Sequence, residues 1–240
     1  MTEFDKTNWA NSDFSKGYRE NADIFIVERR RMLAIVRSFY AQFVRDGAPK
    51  AVLDLGCGDG IVTAALAEAD VSIDATLVDG SEPMLDKARE RLLGLTNARY
   101  VRSSFQDLLR NDTLDREFDL IVSSLAIHHL AMDEKAALLR LVHAHLKHGG
   151  RFVNIDVVLA PSDPLEQWYL ELWRDWIVEQ QRTYGVPDGK FDHLVKQYKD
   201  LEENKPDTLD DQLDALRIIG FSDVDCYYKY GIFTIYGGRK

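Results

Sequence analysis

The stretch Ala51-Val52-Leu53-Asp54-Leu55-Gly56-Cys57-Gly58-Asp59-Gly60 constrains this chain more than any other. A short apolar run reads as a buried strand, and glycines at positions 56, 58 and 60 end it. Residues Ile61 to Glu68, rich in alanine and leucine, then favour helix. Strand, glycine turn and helix are the layout of a nucleotide site in an open α/β sheet. Glycine lets the backbone approach a ligand closely, and such sites lie beyond the carboxyl ends of the strands. The spacing is Gly-x-Gly-x-Gly. A dinucleotide site needs Gly-x-Gly-x-x-Gly, and Ile61 stands where its third glycine belongs.

The flanking chain supplies the rest of such a sheet. Before the loop, Met32, Leu33, Val36, Phe39, Tyr40, Phe43 and Val44 form an i, i+3/i+4 stripe that predicts a helix from about Asp23 to Arg45. The polar lead before it, with Phe4, Trp9, Phe14 and Tyr18, reads as a loose terminus. After the loop, Asp74–Asp79 predicts a second strand, and Ser81 and Pro83 suit the N-cap and first turn of the next helix. Strands are expected at Ala98–Ser103, Phe118–Ser124 and Arg151–Leu159, with a helix from about Glu134 to Lys147, capped by Asp133 and stopped by Gly149-Gly150. Alternation of strand and helix specifies a parallel sheet covered on both faces.

The period changes after Pro161. Leu165, Trp168, Tyr169, Leu172, Trp173, Trp176 and Ile177 predict one apolar helical face, and a more polar helix is expected from Asp192 to Glu203. This pair, about 161–205, reads as an insertion before the last αβ unit. Thr208 caps a helix ended by Gly220, and two final strands meet at a turn through Gly231, so one of them runs antiparallel. The fold expected is α/β: a Rossmann-like, seven-stranded, mostly parallel sheet with an N-terminal helical cover (1–46) on a main domain (47–240).

Composition narrows the function. The chain has 240 residues, 45% of them hydrophobic, which suits one domain with a full core. A net charge of −10 argues against nonspecific affinity for nucleic acid or anionic membrane, both driven by excess Lys and Arg. Two cysteines make no metal or disulfide framework, and no metal-ligand spacing emerges. With no signal pattern at Met1–Asp5 and no apolar span, the expected location is the cytoplasm.

Asp79, at the end of the second strand and about twenty residues past the loop, is placed to accept hydrogen bonds from both ribose hydroxyls. Together, Val52–Gly60, Asp79-Gly80, Phe118–Leu130 and Leu146–Phe152 resemble the ordered motifs of the class I methyltransferases that use S-adenosylmethionine (SAM). The resemblance covers residues 48 to 158. Ile127-His128-His129-Leu130 and the late paired helices are similar to the branch of small methyltransferases that also holds the carboxy-SAM synthases. It implies SAM or S-adenosylhomocysteine (SAH) as cofactor. Asp54, Gly56 and Gly58 would surround the methionine part and ribose edge, Asp79 would hold the ribose, and Gly80 and Met84 would meet the adenine. Ser104 and Phe105 stand where relatives put an acid and a small residue, and serine lacks the charge of that acid, leaving backbone or Gln106 for the adenine contact. Ser124 would lie beside the methyl donor, and Tyr18 matches a tyrosine that closes over the methionine part.

A sulfonium methyl group is already activated, so the protein has mainly to align an acceptor and exclude water. An oxygen acceptor also gains from a base, and His128 is the favoured candidate of the adjacent pair. Trp173 on the tryptophan face and Arg29 in the first helix are candidate acceptor contacts, although the ordinary roles of both are packing and solvation. Lys199 is the nearest counterpart of the carboxylate-binding arginine of carboxy-SAM synthases, without its planar fork. The expected function is methyl transfer to a small molecule through N, O or S. The alternatives are carboxy-SAM synthesis and a noncatalytic SAM-binding module. The N-terminal segment and the insertion are expected to form a lid, and a homodimer is compatible.

Overall fold

The computed structural model describes residues 4, 7–199 and 201–240. Its strands β1 (Ala51–Leu55), β2 (Asp74–Asp79), β3 (Ala98–Arg102), β4 (Phe118–Ser124), β5 (Leu146–Val157), β6 (Ser222–Tyr230) and β7 (Phe233–Arg239) form one sheet in the order β3-β2-β1-β4-β5-β7-β6. Strands β1 to β5 pair in parallel, and β7 is antiparallel to both β5 and β6. The chain order reverses at β1, where β2 pairs on one side and β4 on the other. That switch point opens a crevice at the carboxyl ends of these strands.

Alternation within β1 assigns its residues to the two faces. Val52 joins a core beneath the N-terminal helices, while Leu53 and Leu55 join the core on the other face. The first of these cores is covered by α1 (Ser12–Phe25), α2 (Arg29–Phe43), α3 (Ile61–Ala67), α4 (Glu82–Arg91) and α7 (Asp163–Tyr184), with the short α8 (Asp192–Gln197) beside α7. The second lies under α5 (Phe105–Arg110), α6 (Met132–His145) and α9 (Leu209–Ile219).

Several boundaries differ from expectation. The polar lead is helical from Ser12: the Asn11 side chain accepts from the backbone N–H groups of Asp13 and Phe14, and an amphipathic α1 packs on α7. A break at 26–28 separates α1 from α2, with Glu28 left-handed at φ 49°. Helix α6 starts at Met132, one residue before Asp133, and the Glu134 carboxylate accepts from Ala131 N at 3.0 Å. Strand β5 begins at Leu146, upstream of the glycine pair, because Leu146 pairs with Phe118 and Gly149 N donates to Lys240 O. Gly149 takes a left-handed φ of 78° within the strand, and Gly150 O accepts from Lys240 N. Helix α8 ends at Gln197, six residues short of expectation.

Candidate cofactor and acceptor site

The glycine turn after β1 folds back on β2. Cys57 N donates to Val78 O, and Gly58 N donates to Asp79 Oδ2 at 2.8 Å. The other Asp79 oxygen accepts from Ser81 N at 2.8 Å. Each carboxylate oxygen keeps a second lone pair for a ligand hydroxyl. Burial pushes the Asp79 carboxyl up from its ordinary value, and the two backbone donors oppose that. Gly56, at φ 65°, is needed on steric grounds: a Cβ there would lie 2.5 Å from Ala126 Cβ and 3.1 Å from the Phe105 ring. At Gly80 the Phe4 ring packs directly on the backbone, 2.8 Å from where a Cβ would stand.

A cavity of about 530 Å³ opens at the ends of these strands. Its first half is walled by Gly56, Gly58, Asp79, Gly80, Met84 and, from the β3–α5 turn, Ser104 with Phe105. Ser124, Leu125 and Ala126 form the middle, where Leu125 is left-handed at φ 51°. The second half is bounded by Trp9, Tyr18, His129, Glu202, Glu203 and Lys205. The Trp9 ring meets Tyr18 at 4.9 Å and His129 at 5.6 Å, both edge-on. Asn8 N donates to Glu203 Oε1 at 3.0 Å, so the N-terminal turn and the chain after α8 meet over the cavity.

Nine of the ten residues expected at the cofactor are on this wall: Tyr18, Gly56, Gly58, Asp79, Gly80, Met84, Ser104, Phe105 and Ser124. Ser104 is committed to capping α5, its hydroxyl bonded to Asp107. Asp54 lies behind the wall. It is 1% exposed, its Oδ2 accepts from Thr63 Oγ1 at 2.7 Å, and its Oδ1 is buried with no partner among the described residues. Burial raises its pKa to about 7.

The residues expected at acceptor and catalysis fall elsewhere. His128 is buried behind the cavity, Nδ1 2.6 Å from Asp156 Oδ1, and its neighbour His129 takes the place on the wall. Trp173 is core, donating from Nε1 to Phe25 O at 2.7 Å, because its face of α7 docks the insertion onto α1. Arg29 pairs with Asp23 at 2.9 Å, beside a minor cleft under Leu125. Lys199 pairs with Glu166. Sequence reasoning missed Glu202, Glu203 and Lys205, which no motif marks. It saw Phe4 only as a scattered aromatic, and Trp9 as part of the expected N-terminal lid.

His129 Nδ1 is 2.9 Å from Glu203 O and donates to it, leaving Nε2 as a lone pair. That Nε2 is buried without a partner among the described residues. Burial, with His128 beside it, lowers the His129 pKa to about 3, so the ring is neutral. Burial likewise raises the Tyr18 phenol to about 12 and keeps it a donor. Among the described residues no cluster of three or more His, Cys, Asp or Glu side chains could hold a metal ion.

These residues fit SAM. The cradle at Gly56 admits no side chain, Asp79 offers lone pairs beside the turn, and the orphaned Asp54 oxygen adds negative potential beneath a cationic ligand. A methyltransferase-domain family model matches residues 52–150. The chain is 42% identical to a cypemycin N-terminal methyltransferase of Streptomyces over 49% of its own length and 44% of that protein's. It is 29% identical to a carboxy-SAM synthase of Chromohalobacter salexigens, over 75% of this chain and 64% of that one. It thus spans less than two thirds of either relative. An O-methyltransferase family protein from Burkholderia thailandensis shares the fold at a TM-score of 0.70 and 14% identity, covering 98% of this chain and 62% of that one. Motif order, cavity and sequence likeness agree: residues 52–150 match a methyltransferase domain, the curated relatives are similar over part of their length, and the fold is that of a solved O-methyltransferase family protein.

Proposed function

We propose that the chain transfers a methyl group from SAM to a small-molecule acceptor through nitrogen, oxygen or sulfur. The observation that carries this reading is the continuity of the cavity, from Asp79 past Ser124–Ala126 to His129 and Glu203. Its volume of about 530 Å³ falls within the range of small-ligand sites, and its wall runs on past the glycine turn and Asp79 to His129, Glu202 and Glu203. SAM, when bound, supplies a methyl group already activated on a sulfonium.

The chain's own residues orient and enclose. Asp79 and the glycine turn fix the ribose end, and Phe4 covers Gly80. Trp9 and Tyr18 exclude water from the far half, where Tyr18 donates and neutral His129 accepts hydrogen bonds. Calorimetry with SAH tests the site. Asp79→Ala removes a charged hydrogen-bond partner, so affinity should fall on the order of one hundredfold. Unchanged affinity would refute the ribose assignment, and NAD, as control, should not bind.

A second reading, modification of SAM itself, draws on the carboxy-SAM synthases among the relatives. Lys199, the cation expected for an added carboxylate, is held by Glu166 off the wall, and Lys205 is the cation that the wall offers instead. Mass spectrometry of the ligand retained through purification separates the two readings, a carboxylated SAM favouring the second.

A further inference from the structure

The far half of the cavity has a chemistry of its own. Two neighbouring carboxylates, Glu202 and Glu203, face it with the Trp9 ring, against one exposed lysine, Lys205. Glu203 is half-buried and held at two points: Oε1 by Asn8 N, and its backbone carbonyl by the His129 ring. Its carboxylate is therefore positioned, while Glu202 is exposed and screened. A cation beside an indole ring and a fixed carboxylate gains from both.

The same wall is poorly equipped to deprotonate a hydroxyl. A general base works best with a pKa near the operating pH. His129 holds a proton only in strong acid, because burial has lowered its pKa to about 3. The Tyr18 phenol, at about 12, stays protonated. His128 is off the wall on Asp156. A neutral amine brings its own nucleophilic lone pair and needs no such base.

From the positioned Glu203, its neighbour Glu202 and the adjoining Trp9 ring, we infer that the acceptor is a small amine. It is drawn in as an ammonium ion, gives up one proton to water, and reacts as the neutral base. The inference rests on the methyl-transfer reading. The nitrogen lone pair forms the new N–C bond as the S–C bond breaks, and that bond's electron pair stays on sulfur. The N–H proton then in excess passes to the carboxylates or to water.

The test uses the full chain saturated with SAH and two matched probes, phenethylamine and 2-phenylethanol, titrated by calorimetry. The amine should bind at least about tenfold more tightly, as expected for a hydrogen bond to a charged group. Glu203→Gln, which keeps an oxygen for Asn8 N, should remove most of that preference, and Glu202→Gln only a few-fold of it. Neither variant should change the affinity for the alcohol. With SAM, SAH release across matched amines, alcohols and thiols should be confined to amines and should rise with pH as the neutral base grows. Equal affinity of the two probes, binding of neither, or transfer to alcohols or thiols without amines overturns the inference. If SAH binds normally in that event, only the acceptor class falls. If SAH does not bind, the methyl-transfer reading falls with it.

Discussion

Replacing Asp54 by Asn tests whether the buried carboxylate under the glycine turn is kept at the expense of stability. In the wild type this side chain is 1% exposed, with the Thr63 hydroxyl bonded to Oδ2 and Oδ1 unpartnered among the described residues. Its pKa rises from 3.8 to about 7 through burial, with Asp79 and Asp59 adding to the rise and Thr63 opposing it. Between those values the folded chain binds more protons than the unfolded one, so stability falls as pH rises from about 4 to 7. A shift of about three units corresponds to about 4 kcal/mol lost by pH 8, to order of magnitude. Asn does not titrate and can still accept from Thr63, but it leaves a buried NH₂ unpaired at a cost of about 1–3 kcal/mol. The variant should thus be less stable than wild type at pH 4 and more stable, by about 1–3 kcal/mol, at pH 8. Urea unfolding at the two pH values without cofactor measures both numbers, and the wild-type-minus-variant difference cancels the other titrating groups. The same variant should bind SAM more weakly, having lost the negative charge beneath it. If both proteins show the same dependence on pH, Asp54 is not held partly protonated by burial, and the reasoning is wrong.

Gly56→Ala should cost at least about 2 kcal/mol, combining a left-handed alanine with overpacking against Ala126 and Phe105, and should abolish SAH binding in calorimetry. His129 has its pKa lowered from 6.5 to about 3, so the folded chain binds fewer protons across that window and stability is lost as pH falls through it. His129→Phe should therefore shift acid unfolding, followed by tryptophan fluorescence, to lower pH, and an unchanged midpoint would count against a neutral buried ring. Removing residues 1–10, which keeps α1 and its Asn11 cap, should leave the helical circular dichroism intact and weaken SAH binding, because Phe4 and Trp9 are lost from the wall. Full affinity in the truncated protein would reduce the N-terminal turn to packing.

The sequence alone determined the half of the site that is local in the chain. Glycines 56 and 58 and Asp79 are set by the ends of two adjacent parallel strands, and strand period and turn chemistry are written within about thirty residues of each other. The parallel pairing of β1 to β5 followed from strand–helix alternation, and the final hairpin from the turn at Gly231, while the order of the strands came from the structure. Only tertiary structure decided the far half. Glu203 comes to Asn8 from almost two hundred residues away, carried by an insertion in which Trp173 is core and Trp168 is exposed, while an unremarkable polar segment reaches the cavity. The choice between His128 and His129 was equally out of reach. They occupy one 3₁₀ turn, where neighbours point about 120° apart, and the left-handed Leu125 just upstream sets the angle at which that turn enters. Residue type and spacing are the same for both rings, and the approach of the backbone puts one on Asp156 and the other on the wall.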